Sequence, residues 1–215
     1  MKARARLIIL TAALTAAAGC QTAYYATMEK FGVHKRDILV DRVQEARDEQ
    51  QEAKEEFTSA LARFRSVINF DGGALQQKYD NLSADYDRCA AKSDAVKSRI
   101  NKVEDVAEAL FKEWEGEIAE YTNASLKQSS QNQMIETRAR YEKVVRAMRR
   151  AEQKIQPVLS AFKDQVLFLK HNLNARAISS LQNELKSVEG DIASLIAEME
   201  TSINEANKFI SQMGK

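Results

Sequence analysis

Two cysteines and two histidines are the nucleophilic or metal-seeking side chains from which a site could be built, and their spacing decides what chemistry is open. Cys20 stands at the end of Ala17-Ala18-Gly19-Cys20, behind Met1-Lys2-Ala3-Arg4-Ala5-Arg6 and an apolar run from Leu7 to Ala18. A basic start, a short apolar stretch and small residues before a cysteine form the pattern of a bacterial export signal ending at a lipidation site. Cys89 has no second Cys or His at ligand spacing and falls on an apolar helical stripe, so it is expected to be a small core residue. His34 and His171 lie in separate segments without ligating neighbours, so no metal is expected. There is no Gly-x-x-x-x-Gly-Lys phosphate loop and no Gly-x-Ser-x-Gly elbow. The many Glu and Asp residues sit at helical surface spacing and read as solvated charge rather than as acid–base pairs. No catalytic residue, cofactor or small-molecule substrate is therefore assigned, and Cys20 is the one residue given a chemical role.

That role rests on the elements around it. The apolar run is about a dozen residues, whereas a spanning helix needs ~20, so the segment is expected to be a cleaved signal rather than a permanent anchor. Ala17-Ala18-Gly19-Cys20 resembles the lipobox of bacterial lipoproteins, with Ala17 where that pattern prefers Leu. The resemblance implies that the Cys20 thiol takes a diacylglyceryl group, that the chain is cut before it, and that the new amino terminus is acylated. Gln21 rather than Asp follows, which implies the outer membrane instead of inner-membrane retention. Multiple acyl chains give a stable anchor at ~0.8 kcal/mol per buried methylene, where one chain binds marginally.

Composition describes what hangs from that anchor. The chain is 29% charged and 44% hydrophobic with one Pro and seven Gly, the makeup of long helices. Loss of Lys2, Arg4 and Arg6 with the signal leaves 29 of the 32 basic residues against 31 acidic ones, a near-neutral body with no global bias toward nucleic acid. With Cys20 lipidated, Cys89 has no disulfide partner, and the fold must be held by its core. The segment 20–37 is expected to lead from the membrane. Its Tyr24-Tyr25 pair suits a headgroup interface, Gly32 interrupts a helical pattern, and Lys35-Arg36 form a small basic cluster that reads as a solvated face.

From 38 to 215 the chain reads as a single helical domain. Leu39, Val43, Ala46, Gln50, Ala53, Phe57, Ala60, Phe64 and Val67 recur four and three apart, the seam of a helix packed lengthwise on others. Asn69-Phe70-Asp71-Gly72-Gly73 stops this run with turn chemistry. A second seam follows through Leu75, Tyr79, Leu82, Tyr86, Cys89, Ser93, Val96, Ile100, Val103, Ala107, Leu110, Trp114 and Ile118, with Trp114 and Tyr121 as core filling near one end. The run ends around Tyr121-Thr122-Asn123-Ala124-Ser125. A third resumes by Met134 through Tyr141, Val145, Met148, Glu152, Ile155, Leu159, Phe162, Val166, Leu169 and Leu173. Pro157 lies inside it and is expected to kink the helix or to open a new one. The last stripe holds Ile178, Leu181, Leu185, Val188, Ile192, Leu195, Met199, Ile203, Ala206 and Ile210. A turn at His171-Asn172-Leu173-Asn174, with Asn174 as cap, gives an elongated antiparallel up-down-up-down four-helix bundle with coiled-coil packing. Its helices would be roughly 40, 48, 45 and 38 residues, rods near 60 to 70 Å at ~1.5 Å per residue. The alternative is three long helices, the last two runs being continuous through a stutter.

Arg138, Arg140, Lys143, Arg146, Arg149, Arg150 and Lys154 put seven basic side chains in seventeen positions, the one feature that would support a DNA-associated coiled coil. Glu136, Glu142 and Glu152 are interleaved, so a charge-paired helix face is expected instead. Several stretches together resemble the proteobacterial family known as domain of unknown function 2959. These are Tyr24-Tyr25, the run from His34 to Val43, the turn Asn69 to Gly73, Val103 to Phe111, and Lys170 to Ile178. The likeness spans essentially the whole mature chain and implies an exported, helical, lipoprotein-like protein, with no functional residue to carry over.

The sequence thus predicts a non-enzymatic envelope lipoprotein at the periplasmic face of the outer membrane. Its partners would be membrane lipid through acylated Cys20, and a protein partner or a second copy. Its body would serve as scaffold, spacer or adaptor. The alternative is a helical binding module for an envelope polymer or a partner coiled coil.

Overall fold

The computed structural model describes residue 28 and residues 32–68, 75–172 and 175–213. Four helices account for nearly all of them: α1 (Lys35–Ile68), α2 (Leu75–Glu120), α3 (Ala124–His171) and α4 (Ala175–Met213). Each packs along two neighbours in a ring, α1 on α2, α2 on α3, α3 on α4 and α4 on α1. This is the all-α up-down-up-down bundle, and the separation of α3 from α4 removes the three-helix alternative. Residues 69–74, with the Asp-Gly-Gly turn, and Leu173 and Asn174, with the expected cap, lie outside the described residues.

Heptad geometry fixes register across the seams. Lys143 pairs with Glu205 and Arg150 with Glu198, so seven residues forward on α3 is seven back on α4. Lys54 pairs with Glu200 and Arg65 with Glu189, eleven forward on α1 and eleven back on α4. Along α1 and α2, Glu45 meets Arg99, Glu49 and Glu52 meet Lys92, and Glu56 meets Arg88. From Glu45 to Glu56 acidic α1 positions thus face basic α2 positions, and acidic α4 positions face basic positions of both α1 and α3. The charges flanking the seams match the ring order, as complementary flanking charges do in coiled coils.

Between these rows the apolar seams interlock. Every position of the expected α1 stripe is buried, including Phe57 and Phe64. Phe64, Tyr86 and Phe162 form an aromatic cluster from three helices, with Tyr86 edge-on to Phe162 at 88° and 6.0 Å between centroids. One layer is polar. Gln50 is fully buried, accepts from Ser202 Oγ at 2.6 Å and donates to the Met148 carbonyl at 3.4 Å. Such a layer costs stability relative to an apolar one, and it specifies register, because a shift of one heptad strands both groups without partners.

The structure corrects the expected stripes at several points. On α3 the expected Met148, Ile155, Leu159, Phe162, Val166 and Leu169 are buried, Val144, Ala151, Val158 and Gln165 are buried beside them, and Tyr141 and Val145 are only half-buried. Glu152, expected in the seam, instead pairs with Arg149 at the bundle edge. On α4 the seam turns through Ser202 and Phe209, while Ile203 and Ile210 are half-buried. The Gln50–Ser202 bond decides the first of these, since only Ser202 can meet Gln50 in that layer. Helix α3 begins at Ala124, ten residues before the expected resumption at Met134, with the Asn123 side chain accepting from the Ser125 and Leu126 amides. Its first turns face α2, where Trp114 meets Ser130, and carry no apolar stripe. Tyr121, expected in the core, is 41% exposed in the turn. Trp114 is half-buried, its indole N–H donating to Ser130 Oγ at 2.9 Å. Pro157 sits within an unbroken α3 on an exposed face and opens no new helix. The Gln153 carbonyl there loses its helical donor, and its neighbours on that face are open to water.

Candidate functional site

Cys20, with Tyr24 and Tyr25, lies outside the described residues, so its surroundings are read from where the chain enters the bundle. Gly32 has φ +78, a left-handed conformation natural to glycine, and the Val33 amide returns to the Met28 carbonyl at 3.1 Å. This six-to-one bond has the form of a Schellman stop. The chain restarts as α1 with the His34 carbonyl accepting from the Asp37 and Ile38 amides. Met28 and Val33 are half-buried against the core. Lys35 donates to Glu113 at 2.8 Å and Arg36 to the Met213 carbonyl at 2.6 Å, so this basic pair ties α1 to the ends of α2 and α4. The entry point is therefore a fixed corner of the bundle, at the end that also carries the α2–α3 turn.

Cys89 is buried and free, as its seam position predicts. Burial first, and the nearby carboxylates of Glu56 and Asp85 after it, push its thiol up to about 12. A thiolate is the nucleophilic form, so this cysteine is held inert at neutral pH. Beside it lies a charge cluster that sequence reasoning missed. Asp85 is fully buried and accepts from both Arg63 and Arg88, whose outer faces also reach Glu56. Two cations and two carboxylates compensate each other there. Asp85 flanks the seam residue Tyr86 on α2, and nothing in the local pattern marks it as buried. Only the pairing of α1 with α2 brings Arg63 to it.

The basic run on α3 resolves into pairs. Arg138 meets Glu115, Arg140 meets Glu136, Lys143 meets Glu205, Arg146 meets Glu142, Arg149 meets Glu104 and Glu152, and Arg150 meets Glu198. Six of the seven expected cations are thus engaged within the chain. The bonds to Glu104 and Glu152 hold the Arg149 guanidinium above its ordinary range despite partial burial. A surface that binds phosphates needs cations aimed outward, and this one spends them on interhelical and same-helix carboxylates.

A groove of about 520 Å³ opens between α2 and α3 around Glu104, Glu108, Phe111, Arg138, Tyr141 and Glu142. Phe111 and Tyr141 form a tilted ring pair at 5.6 Å, and the Arg138 guanidinium lies 4.7 Å over the Phe111 ring. The Arg138 Nε–H is buried without an acceptor in this stack. Burial carries the Tyr141 phenol up to about 12, so it remains a neutral donor at physiological pH. Of the carboxylates on this wall, Glu115, Glu142 and Glu104 are engaged by Arg138, Arg146 and Arg149. Among the described residues no cluster of three His, Cys, Asp or Glu side chains could hold a metal, and no helix is long and apolar enough to cross a membrane. His34 and His171 lie at opposite ends of the rod.

No curated protein is significantly similar to the chain. A family model described as protein of unknown function (DUF2959) matches residues 24–213, which include the corner at Gly32, all four helices and the buried charge cluster. By that match across nearly its whole length, the chain belongs to this family.

Proposed function

We propose that this protein is a non-enzymatic envelope lipoprotein, exported, acylated at Cys20 and held at the periplasmic face of the outer membrane, with a helical rod as scaffold, spacer or adaptor. One observation carries the reading: Cys20 ends an apolar run too short to span a bilayer and stands fifteen residues before the first turn of α1. The bundle supports it from the other side, because the apolar stripes of the described helices are spent on one another. A rod of about 70 Å, from 48 residues at ~1.5 Å each, suits a spacing role. Globomycin, which blocks the lipoprotein signal peptidase, is expected to leave an uncleaved precursor, and Cys20→Ala to release the body from membranes. Membrane attachment that survives both treatments would overturn the reading.

A second reading, a module that docks a partner coiled coil or a second copy, draws on Leu167 and Phe168. These adjacent α3 side chains are 49% and 39% exposed at the end of the rod far from α1's start. Sedimentation velocity on the soluble 21–215 body tests it. A concentration-dependent dimer that Phe168→Asp abolishes is expected, and a strict monomer at high concentration would remove it.

A further inference from the structure

We propose that the α2–α3 turn is a second membrane contact: Tyr121 and Leu126 rest in the headgroup layer of the bilayer that holds the acyl chains of Cys20. The inference depends on the lipoprotein reading and adds an orientation to it, with the rod standing turn-first on the membrane.

Placement comes first. Lys35, the start of α1, is level with Glu113 of α2, and α2 continues seven residues further to Glu120, about 10 Å at ~1.5 Å per residue. The hairpin of α2 and α3 therefore projects past α1 at the end where the chain enters the bundle. Met28 is already packed against the core, so only eight residues separate Cys20 from a fixed point. Fully extended, eight residues reach about 28 Å. A bilayer gripping Cys20 must lie within that distance of Met28, on the side of the molecule where the hairpin projects.

Surface chemistry agrees independently. Residues 121–135 carry one formal charge, Lys127, in a chain that is 29% charged. Three of the five large hydrophobic side chains exposed among the described residues lie in this stretch: Tyr121 at 41%, Leu126 at 56% and Ile135 at 62%. Apart from Ala124, Lys127 and Met134, the intervening residues are Ser, Thr, Asn and Gln, able to exchange water for headgroup oxygens. Tyrosine suits this layer because its ring is apolar and its hydroxyl remains wet. Leu126 and Ile135 are nine residues apart, so they point to opposite sides of α3 and differ in height by about 13 Å. One plane can take Tyr121 and Leu126 at the tip and leave Ile135 above it. Glu117 and Glu120 flank the tip, so the contact is apolar and suited to zwitterionic lipid rather than a polybasic clamp on anionic lipid.

The mature full chain, purified from membranes and reconstituted in zwitterionic vesicles, tests this with an environment-sensitive thiol dye at Leu126→Cys, Ile135→Cys or Leu167→Cys. Buried Cys89 does not compete for label. Acylated Cys20 cannot react, so one label per chain also reports that the anchor is in place. The expected result is a blue shift and loss of most emission to brominated lipids at position 126, a small effect at 135 and none at 167. Addition of anionic lipid should leave the 126 signal equal or weaker. Emission at 126 that matches that at 167, on vesicle-bound protein with one label per chain, would overturn the second contact and leave the lipoprotein reading intact. Two labels per chain would mean a free Cys20, and both would fall.

Discussion

Arg63 and Arg88 enclose Asp85 unequally, and the asymmetry sets the stability cost of each substitution. The Asp85 side chain is fully buried, whereas those of Arg63 and Arg88 are 40% and 50% exposed. Removing the carboxylate leaves two guanidinium groups that can return to water and still hold Glu56. Asp85→Asn keeps an acceptor oxygen in place, so it should cost about 1.5 kcal/mol, the lower end for bonds to charged groups. Removing both cations is different. Arg63→Met with Arg88→Met leaves a carboxylate in the α1–α2 seam beside Cys89 and Tyr86 with no cation in reach. Stranding a buried charge costs ~3–5 kcal/mol. Adding Asp85→Leu to that pair removes the stranded charge and should recover most of the loss, because packed apolar groups replace buried ion pairs at little cost. The three sites share one network, so their effects should be strongly non-additive. Urea unfolding followed by circular dichroism at 222 nm gives the midpoints, with the slopes checked for constancy. The reasoning is refuted if the double arginine variant is no less stable than Asp85→Asn.

Other outcomes follow from single features. Cys89 should resist a thiol reagent in the folded protein at pH 8 and react fully in denaturant, since burial holds its thiol at about 12; fast native labelling would contradict this seam position. Asn123→Ala removes the acceptor for two amides and should cost about 1 kcal/mol, confined to the hairpin arm, with faster amide exchange over residues 124–130 and none elsewhere. Hydrogen bonds from Lys143 and then Lys208 hold the Glu205 carboxyl below its usual range. That stabilisation is therefore full above the ordinary carboxylate range and lost as pH falls through the lowered value. Glu205→Gln should be less stable than the parent at pH 7 by up to about 1 kcal/mol and equal to it near pH ~2, and a difference that persists in acid would be contrary to this origin.

The seams were the most legible part of the chain, because a four-three rhythm is imposed by packing and survives in residue type. Leu39 to Val67 reads correctly at every step, including polar Gln50, since the period carries through it. Legibility failed where two neighbours compete for one seam position. Glu152 and Ala151, Ile203 and Ser202, and Ile210 and Phe209 differ by one residue, and a partner helix decides among them. A small Ala suits a close approach, and Ser202 is chosen by Gln50 from a helix 152 residues away in sequence. The hairpin arm was invisible for a related reason. Residues 124–133 carry no apolar stripe, so the periodic signal resumes only by Met134 although the helix is already capped at Asn123. Asp85 is the strongest case, because its burial depends on two arginines that come together only after α1 and α2 pair. Cys20 stands apart from all of this, as a local motif that needs no folded context to be read.

The mass of the mature amino terminus bears on that motif without further assumptions. The protein extracted from membranes and digested should yield a terminal peptide that begins at Cys20 and carries a thioether-linked diacylglyceryl group with an acylated amine. A peptide that begins at Met1, or one cut elsewhere with Cys20 as a free thiol, would contradict the assignment of this chain as a lipid-anchored envelope protein.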